Sequence, residues 1–292
     1  MLTREIMGAL ALAILWVTTL LVAGVAFKQA TSHLRRLRSL TPLVPGQEGV
    51  GLLRGTVQEG HGEESALARY EVSQVGRAGA DEGRRRTIHF SDRTFSGAVF
   101  GGKVKVANVE LDIRAGDGDI WPERGAVLSE ANCSDQAQFV RVYEEARKAR
   151  GHLRSVKVNL KKGDTVWVFG KVRKEGNSFS LGDPAGDSIL ISAVDPRAFS
   201  RGKALFAITF AWVELVIAGG ITFLALMPPR FDGWPSKVGG LLGLAFFLSV
   251  QPIGTAVRDA VRAPSRAFVR GRWVEPNPER DSTAASRSAA GA

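Results

Sequence analysis

The sequence predicts a small all-β domain, a partly closed barrel or sandwich of OB type with one soluble helix, anchored by three transmembrane helices. Three apolar runs, Ile6 to Phe27, Ala204 to Met227 and Val238 to Val257, approach the roughly 20 residues that a helix needs to cross a hydrocarbon core. The polar stretch 28–203 between the first two runs is long enough for one or two compact domains. Short alternating segments and Gly-rich turns within it indicate β structure.

The first apolar run, residues 6–27, follows a short N-terminal segment, residues 1–5. Gly24 and Ala26 are small residues where a signal peptidase could cut, so a cleavable signal is one interpretation. The run is longer than the roughly 7 to 15 apolar residues of a signal core, and Glu5 offsets Arg4. We therefore interpret the run as an uncleaved anchor. A basic linker, residues 28–47, leads from it into the predicted β domain, residues 48–196.

The first half of the β domain is predicted to contain several strands. Val50 to Val57 and Ala68 to Val75 have strand patterns, and a Gly- and Arg-rich segment, Gly76 to Arg86, reads as an exposed connection. Lys103 to Ile113 alternates apolar and polar residues with a one-residue slip, which we interpret as a β-bulge. The triplet Asp117, Gly118 and Asp119 lacks the further carboxylates of a calcium loop and predicts a tight turn.

The second half of the β domain carries the predicted soluble helix and the clearest hairpin. Gln138 to Arg150 has an apolar face with helical spacing, and Gly151 is expected to end the helix. The hairpin joins Thr165 to Lys174 with Ser178 to Leu181, and Asp187 to Ala193 is expected to be a final strand.

The second and third apolar runs are predicted to cross the membrane as residues 204–227 and 238–257, before a basic and then disordered tail, residues 258–292. Glu214 lies inside the second run, where a carboxylate normally faces a bundle interior and finds polar partners. Counting by helical rise puts four other polar residues at comparable depth. The predicted intramembrane cluster is Glu214, Thr18, Thr19, Ser249 and Gln251. It serves either to lock the helices together, with Glu214 protonated, or to relay protons or ions.

Basic residues concentrate on one side of the predicted spans, in a chain with net charge +10. Lys and Arg near membrane helices favour the cytoplasm, so the β domain and the tail are predicted to be cytoplasmic, in a bacterial inner membrane. Contact with anionic lipid is the expected role of these bases. Nucleic acid is the rival partner, but the insert lacks the closely spaced aromatic pairs of a base-stacking surface. The predicted lipid-facing bases are Arg35, Arg36, Arg38, Arg201, Lys203, Arg258, Arg262, Arg266 and Arg270.

No complete catalytic signature is present. Cys133 is the single cysteine, and the four histidines do not fall in an HExxH or CxxC context. Phosphate-loop, GxSxG and strand-linked GxGxxG motifs are also missing. The sequence therefore predicts no catalytic residue, no cofactor and no metal site.

A set of short motifs resembles the GIDE/MULAN "beside a membrane" domain over roughly residues 48–227. It comprises a Gly-Thr-Val strand and a late Gly-Asp-x-Val-x-Val-x-Gly hairpin between two spans. The matching residues are Gly55, Thr56, Val57, Gly163, Asp164, Val166, Val168 and Gly170. Eukaryotic members of that family are membrane-anchored E3 ubiquitin ligases with a C-terminal RING, whereas many bacterial relatives keep only the membrane-flanked domain. Here the residues after the second span contain no Cys or His, so the resemblance does not extend to ligase activity.

The predicted function is a non-enzymatic membrane-anchored scaffold or binding module. Its expected partners are anionic lipid and a protein that the sequence does not identify. Two alternatives stay open: an E3-ligase-like protein that works with a separate RING partner, and an accessory subunit of a membrane transporter or channel.

Overall fold

A computed structural model describes residues 2–79, 85–123, 135–176, 178–182, 189–261 and 272–276. The chain divides into two compact units. The helical unit contains the described residues up to Thr41 and those from Asp195 to 261, and the β unit contains those from Pro42 to Val194 together with the segment 272–276.

The helical unit consists of α1 (Leu2–Ser39), α3 (Pro196–Leu226) and α4 (Trp234–Val261). Ala30 packs with Ala207, Ala23 and Ala26 pack with Ala211, and Leu15 packs with Ala218. Because residue numbers rise along α1 as they fall along α3, the two helices are antiparallel. Alanines at these contacts let the backbones approach closely.

Within the described residues, two helices, not the three that the sequence predicts, are long and apolar enough to cross a membrane. They are Glu5–Ser39 and Pro196–Leu226, and they qualify by length and composition. The third run does form a helix, α4, which packs against α3: a Cβ at Gly239 would lie 3.3 Å from Ile221 O.

The β unit is built on a closed barrel of five strands. These are β1 (Gly49–Gly60), β4 (Gly102–Val106), β5 (Val109–Ile113), β8 (Thr165–Glu175) and β9 (Ser178–Leu181). Hydrogen bonding runs in the ring order β1-β4-β5-β9-β8 and closes between β8 and β1. All pairs in the ring are antiparallel except β5 with β9, which is parallel. Of the two predicted alternatives, the barrel forms rather than the sandwich, but its ring of five strands is closed and not partly closed as predicted.

Beyond the ring, β8 also pairs with β10 (Ile189–Ser192), which pairs in parallel with β6 (Gly118–Trp121). A second sheet has the order β11-β3-β2-β7 and comprises β11 (Arg272–Val274), β3 (Thr87–Val99), β2 (Ala68–Ala78) and β7 (His152–Leu160). The soluble helix, α2 (Gln136–Ala146), begins at Asp135, whose side chain accepts a hydrogen bond from Ala137 N at 2.9 Å.

One apolar core joins the two sheets. Alternate residues of the barrel strands, such as Val57 and Val166, are 0 % exposed and pack in the same cluster as Tyr70 and Val158 of the second sheet. Each such side chain stabilises the fold by roughly 1.5–3 kcal/mol through its burial. Burial, and secondarily the nearby Asp92 and Asp119, raise the pKa of Tyr70 to about 12, so its phenol is neutral at physiological pH.

Three local predictions are wrong. The slip within Lys103 to Ile113 is a hairpin turn at Ala107 and Asn108, not a bulge, because Ala107 adopts φ 51° and Val106 pairs directly with Val109. Gly118 and Asp119 belong to strand β6 rather than to a tight turn. The soluble helix ends at Ala146, earlier than Arg150. The predicted connection Gly76 to Arg86 falls partly outside the described residues, at 80–84.

Candidate functional site

A regular seam of buried, mostly small side chains runs along α3, and Ala207, Ala211 and Ala218 of this seam pack on α1. Its buried residues alternate in steps of three and four, the spacing of an antiparallel coiled coil. They are Ser200, Ala204, Ala207, Ala211, Glu214, Ala218, Ile221 and Ala225. Glu214 therefore occupies a core position of the seam, between Ala211 and Ala218.

Glu214 is buried there without a full set of partners. It is 4 % exposed, and its Oε2 accepts no hydrogen bond within the described chain. Ala211 packs with Ala23 of α1, and Ala218 packs with Leu15. Thr19 lies halfway between Leu15 and Ala23, so it is the α1 residue opposite Glu214.

The other members of the predicted polar cluster lie elsewhere. Thr19 is 0 % exposed and its hydroxyl donates to Leu15 O at 2.8 Å. Thr18 is partly buried and Ser249 is exposed, and they donate within their own helices, to Ile14 O and Ala245 O respectively. The side chain of Gln251 is outside the described part. Of the predicted cluster, Thr19 is the member that the antiparallel packing puts opposite Glu214, although no hydrogen bond joins their side chains.

A polar link between α1 and α3 beside the seam was not predicted. Trp16 Nε1 donates to Thr222 Oγ1 at 2.9 Å, and that hydroxyl donates to Ala218 O at 2.8 Å. A donor-bearing aromatic in one apolar run and a hydroxyl in another are the signal that could have indicated it.

The predicted lipid-facing bases that are described meet at one end of the helix pair. Antiparallel packing puts Arg35, Arg36 and Arg38 at the end of α1 beside Arg201 and Lys203 at the start of α3; we call these five residues the basic collar. Arg35, Arg38 and Arg201 are exposed. The predicted bases Arg262, Arg266 and Arg270, and the side chain of Arg258, lie outside the described residues.

Aromatic contacts order the basic collar. Lys203 Nζ lies 5.1 Å from the centre of the Phe199 ring, and His33 meets the same ring edge to face at 6.4 Å. Asp195 caps the start of α3 by accepting hydrogen bonds from Arg197 N and Ala198 N. The local positive charge is therefore held on a defined helix end.

The residues of the family motif, distant in sequence, come together where the barrel closes. Gly55 pairs with Val166 and Thr56 with Thr165 across β1 and β8. Val57 N donates to Asp164 O at 3.0 Å, and Gly163 N donates to Val57 O at 2.9 Å. Asp164 Oδ2 accepts from Lys161 N at 2.7 Å and so holds the turn before β8. Val168 points into the core, and Gly170 pairs with Gly51.

A basic depression of about 330 Å³ lies on the barrel surface at this closure. Its lining residues are Arg54, Gly55, Thr56, Lys105, Ala107 and Thr165, none of them acidic. Arg54 is positioned over the Trp167 ring, 5.5 Å from its centre. Lys105 lies opposite Glu110 in register but forms no ion pair with it. Two cations and two hydroxyls therefore converge on an open surface.

A cluster of aromatic and charged side chains holds the edge strand β11 in the second sheet. Trp273 packs edge to face on Phe90 with ring centres 5.0 Å apart, and the Arg154 guanidinium lies 3.3 Å from the Phe90 ring centre. Arg86 forms a bidentate ion pair with Glu275 and lies over the Tyr143 ring of α2. The hydrogen bond from Arg86 lowers the pKa of Glu275 and raises that of Arg86. Sequence reasoning missed this cluster because β11 is only three residues long.

Within the described ranges, no group of three or more His, Cys, Asp or Glu side chains is arranged to hold a metal ion; Cys133 is outside them. Searches against protein-family models, curated protein sequences and solved structures return no match.

Proposed function

We propose that this protein is a non-catalytic binding module that presents its β unit beside a membrane. One observation carries the proposal. The two helices that are long and apolar enough to cross a membrane, Glu5–Ser39 and Pro196–Leu226, flank the main segment of the β unit in the chain. Because these helices are antiparallel, the chain leaves one and enters the other at the same end. That end carries the basic collar, as expected for a helix pair facing anionic lipid headgroups.

We further propose that α4 makes a third crossing. If α1 and α3 both cross, α3 ends on the side of the membrane opposite the β unit. The strand β11 follows α4 in sequence and pairs with β3 of the β unit. The chain must therefore return across the membrane, and lipid-exposed backbone can do so only as a helix. Of the residues between α3 and β11, α4 is the one helix in the described ranges.

The proposed orientation puts the β unit and β11 in the cytoplasm of a bacterial cell, with the membrane being the inner one. The basic collar and the bases after α4 support it, since Lys and Arg close to membrane helices are retained inside. The opposite end of the helical unit carries fewer positive charges, and Asp232 partly offsets Arg230 and Lys237 there.

We also propose a finer assignment, to the OB type and to a RING-less relative of the GIDE/MULAN domain. Its ring order, with the third strand parallel to the fifth, is that of OB-type barrels. The motif residues of the family resemblance all lie at the β1–β8 closure. Small barrels of this kind commonly bind ligands on the outer face of their strands and in adjoining loops.

We propose that the basic depression is the contact for an acidic segment of a protein partner. Placing a photoreactive amino acid at Thr165, which lines the depression, should give a specific adduct in intact membranes. The same replacement at Thr94, exposed on β3 away from the depression, is the matched control. Adding Arg54→Glu and Lys105→Glu should abolish the adduct at 165 and leave the rest of the crosslinking pattern unchanged. An adduct at 165 that persists after both charge reversals refutes the assignment.

The identity of the captured protein also separates the alternatives. A RING protein supports an E3-ligase-like complex, and a multi-span channel or carrier supports an accessory subunit. Membrane anchoring itself is tested by washing membranes at alkaline pH, when the full-length chain should stay with the lipid. Recovery in the soluble fraction without detergent refutes the proposal.

A further inference from the structure

Glu214 is the one buried carboxyl of the helical unit in the described residues. Its neighbours along the seam, Ala211 and Ala218, have no polar side-chain atoms, and its Oε2 is unpaired. Burying an ionised carboxylate without a partner costs far more than burying a neutral acid. The position therefore favours whichever protonation state can form a hydrogen bond with Thr19.

The hydrogen bond already made by Thr19 decides which state that is. A hydroxyl has one donor and two acceptor lone pairs. The Thr19 donor is used on Leu15 O at 2.8 Å, because a carbonyl oxygen can only accept. Thr19 Oγ1 can therefore only accept from Glu214. An ionised carboxylate also only accepts, whereas a protonated one donates.

We propose that Glu214 is held protonated and donates a hydrogen bond to Thr19 Oγ1, so that the pairing of α1 with α3 depends on a proton bound at this carboxyl. The role is a proton-dependent latch between the two helices. It goes beyond the binding function and depends only on the helix pair.

The seam argues against a proton relay. Toward the basic collar, the next polar side chain of the seam on α3 is Ser200, about 21 Å away along the axis, with alanines at the buried positions between. In the other direction, Thr222 is about 12 Å away. Proton transfer needs groups within hydrogen-bond reach, so the described seam supports a local latch.

Among the described side chains of the helices packed in this unit, no charged group lies near Glu214. On α1 the nearest titratable residue to Thr19 is Lys28, about 14 Å along the axis, and on α3 the nearest to Glu214 is Lys203, about 16 Å away. The side chains described in α4 from Val238 to Ser249 include no titratable group. A change in pH is therefore expected to act on this seam through Glu214 itself.

The latch is tested by disulfide crosslinking in full-length protein reconstituted in liposomes. Ala26→Cys and Ala211→Cys replace residues of one packed cluster, in a Cys133→Ser background. Thr19→Val should lower the crosslinked fraction, expressed as an equilibrium ratio, about threefold, which corresponds to one hydrogen bond within a membrane. Thr18→Val is the matched control, because Thr18 makes the same kind of bond to its own helix but is only partly buried, whereas Thr19 is 0 % exposed. Equal effects of the two substitutions overturn the proposal.

Glu214→Gln should crosslink as the wild type does at neutral pH, because an amide also donates. Raising the pH should reduce crosslinking in the wild type and leave Glu214→Gln unchanged. The protonation state is read independently by infrared difference spectroscopy. A protonated-acid carbonyl band should be present at neutral pH and absent from Glu214→Gln. A wild-type Glu214 that is ionised at neutral pH overturns the proposal even if a variant fails to fold.

Discussion

Gly55 lies where the barrel closes, and any side chain there would collide with the neighbouring strand. A Cβ at this position would lie 2.5 Å from Lys105 O and 2.6 Å from Val104 Cγ1. Because one of these atoms belongs to the backbone of β4, the strain cannot be relieved by a rotamer change. We expect Gly55→Ala to lower the free energy of unfolding of the β unit by about 1–3 kcal/mol, measured by pulse proteolysis of the full-length protein in detergent.

Gly116→Ala is the matched control for that substitution. A Cβ at Gly116 meets no atom within 4 Å, so the stability should change by less than about 0.5 kcal/mol. Equal losses in the two variants would show that closure at Gly55 is not the cause.

Glu275 makes the attachment of β11 sensitive to acid. The hydrogen bond from Arg86 lowers the pKa of Glu275 below its ordinary value, which is about 4.3. Its stabilising effect is therefore complete above that ordinary pKa and is lost as the pH falls through the lowered one. We expect hydrogen exchange of residues 272–276 to accelerate in that acidic range. Glu275→Gln should remove the pH dependence and weaken the attachment at neutral pH by about 1 kcal/mol or less. An unchanged acid response in this variant would assign the effect to another group.

The short strand β11 is held mainly by its aromatic side chain. Trp273 is 7 % exposed and packs on Phe90, with Arg154 over both rings. We expect Trp273→Ala to destabilise the docked strand by about 3 kcal/mol, seen as rapid hydrogen exchange of 272–274 while the barrel strands keep their protection. Val274→Ala, at the more exposed neighbouring position, should have a much smaller effect. Loss of barrel protection in Trp273→Ala would instead indicate that β11 is needed for the whole β unit.

The elements that the sequence predicts well are those with strong local signals. The hairpin of β8 and β9 and the strands β1 and β2 have clear alternation and Gly-bearing turns, so their positions differ from expectation by three residues or fewer at each end. The elements that it does not predict depend on distant partners. Strand β6 forms because Ile189 to Ser192 pairs with it in parallel, and β11 forms because β3 accepts it. The turn at Ala107 was not predicted because it requires a positive φ, which residues other than glycine rarely adopt.

The candidate sites follow the same rule. Apolarity identified Glu214 as exceptional and helical rise placed Thr19 near its depth, but depth alone also included Thr18 and Ser249. The structure separates them by direction: helical positions one residue apart point about 100° away from each other, and only Thr19 falls on the seam. The basic depression was not predicted, because Arg54, Lys105 and Thr165 meet only when the barrel closes.

The order of helices and strands in the whole chain makes the proposed three crossings testable from outside the membrane. If α1, α3 and α4 all cross, the α3–α4 connection lies on one side, and both the β unit and β11 lie on the other. Asp232→Cys marks the connection and Ser178→Cys marks the β8–β9 hairpin; both positions are exposed, and Cys133→Ser removes the native thiol. In right-side-out vesicles a membrane-impermeant maleimide should label position 232 and spare position 178, and detergent should equalise the two. A third marker, Arg272→Cys at the start of β11, should behave as position 178 does. Labelling of 272 together with 232 would put both ends of α4 on the same side of the membrane and so would mean that α4 does not cross. Strand β11 would then lie on the opposite side from β3 and could not pair with it.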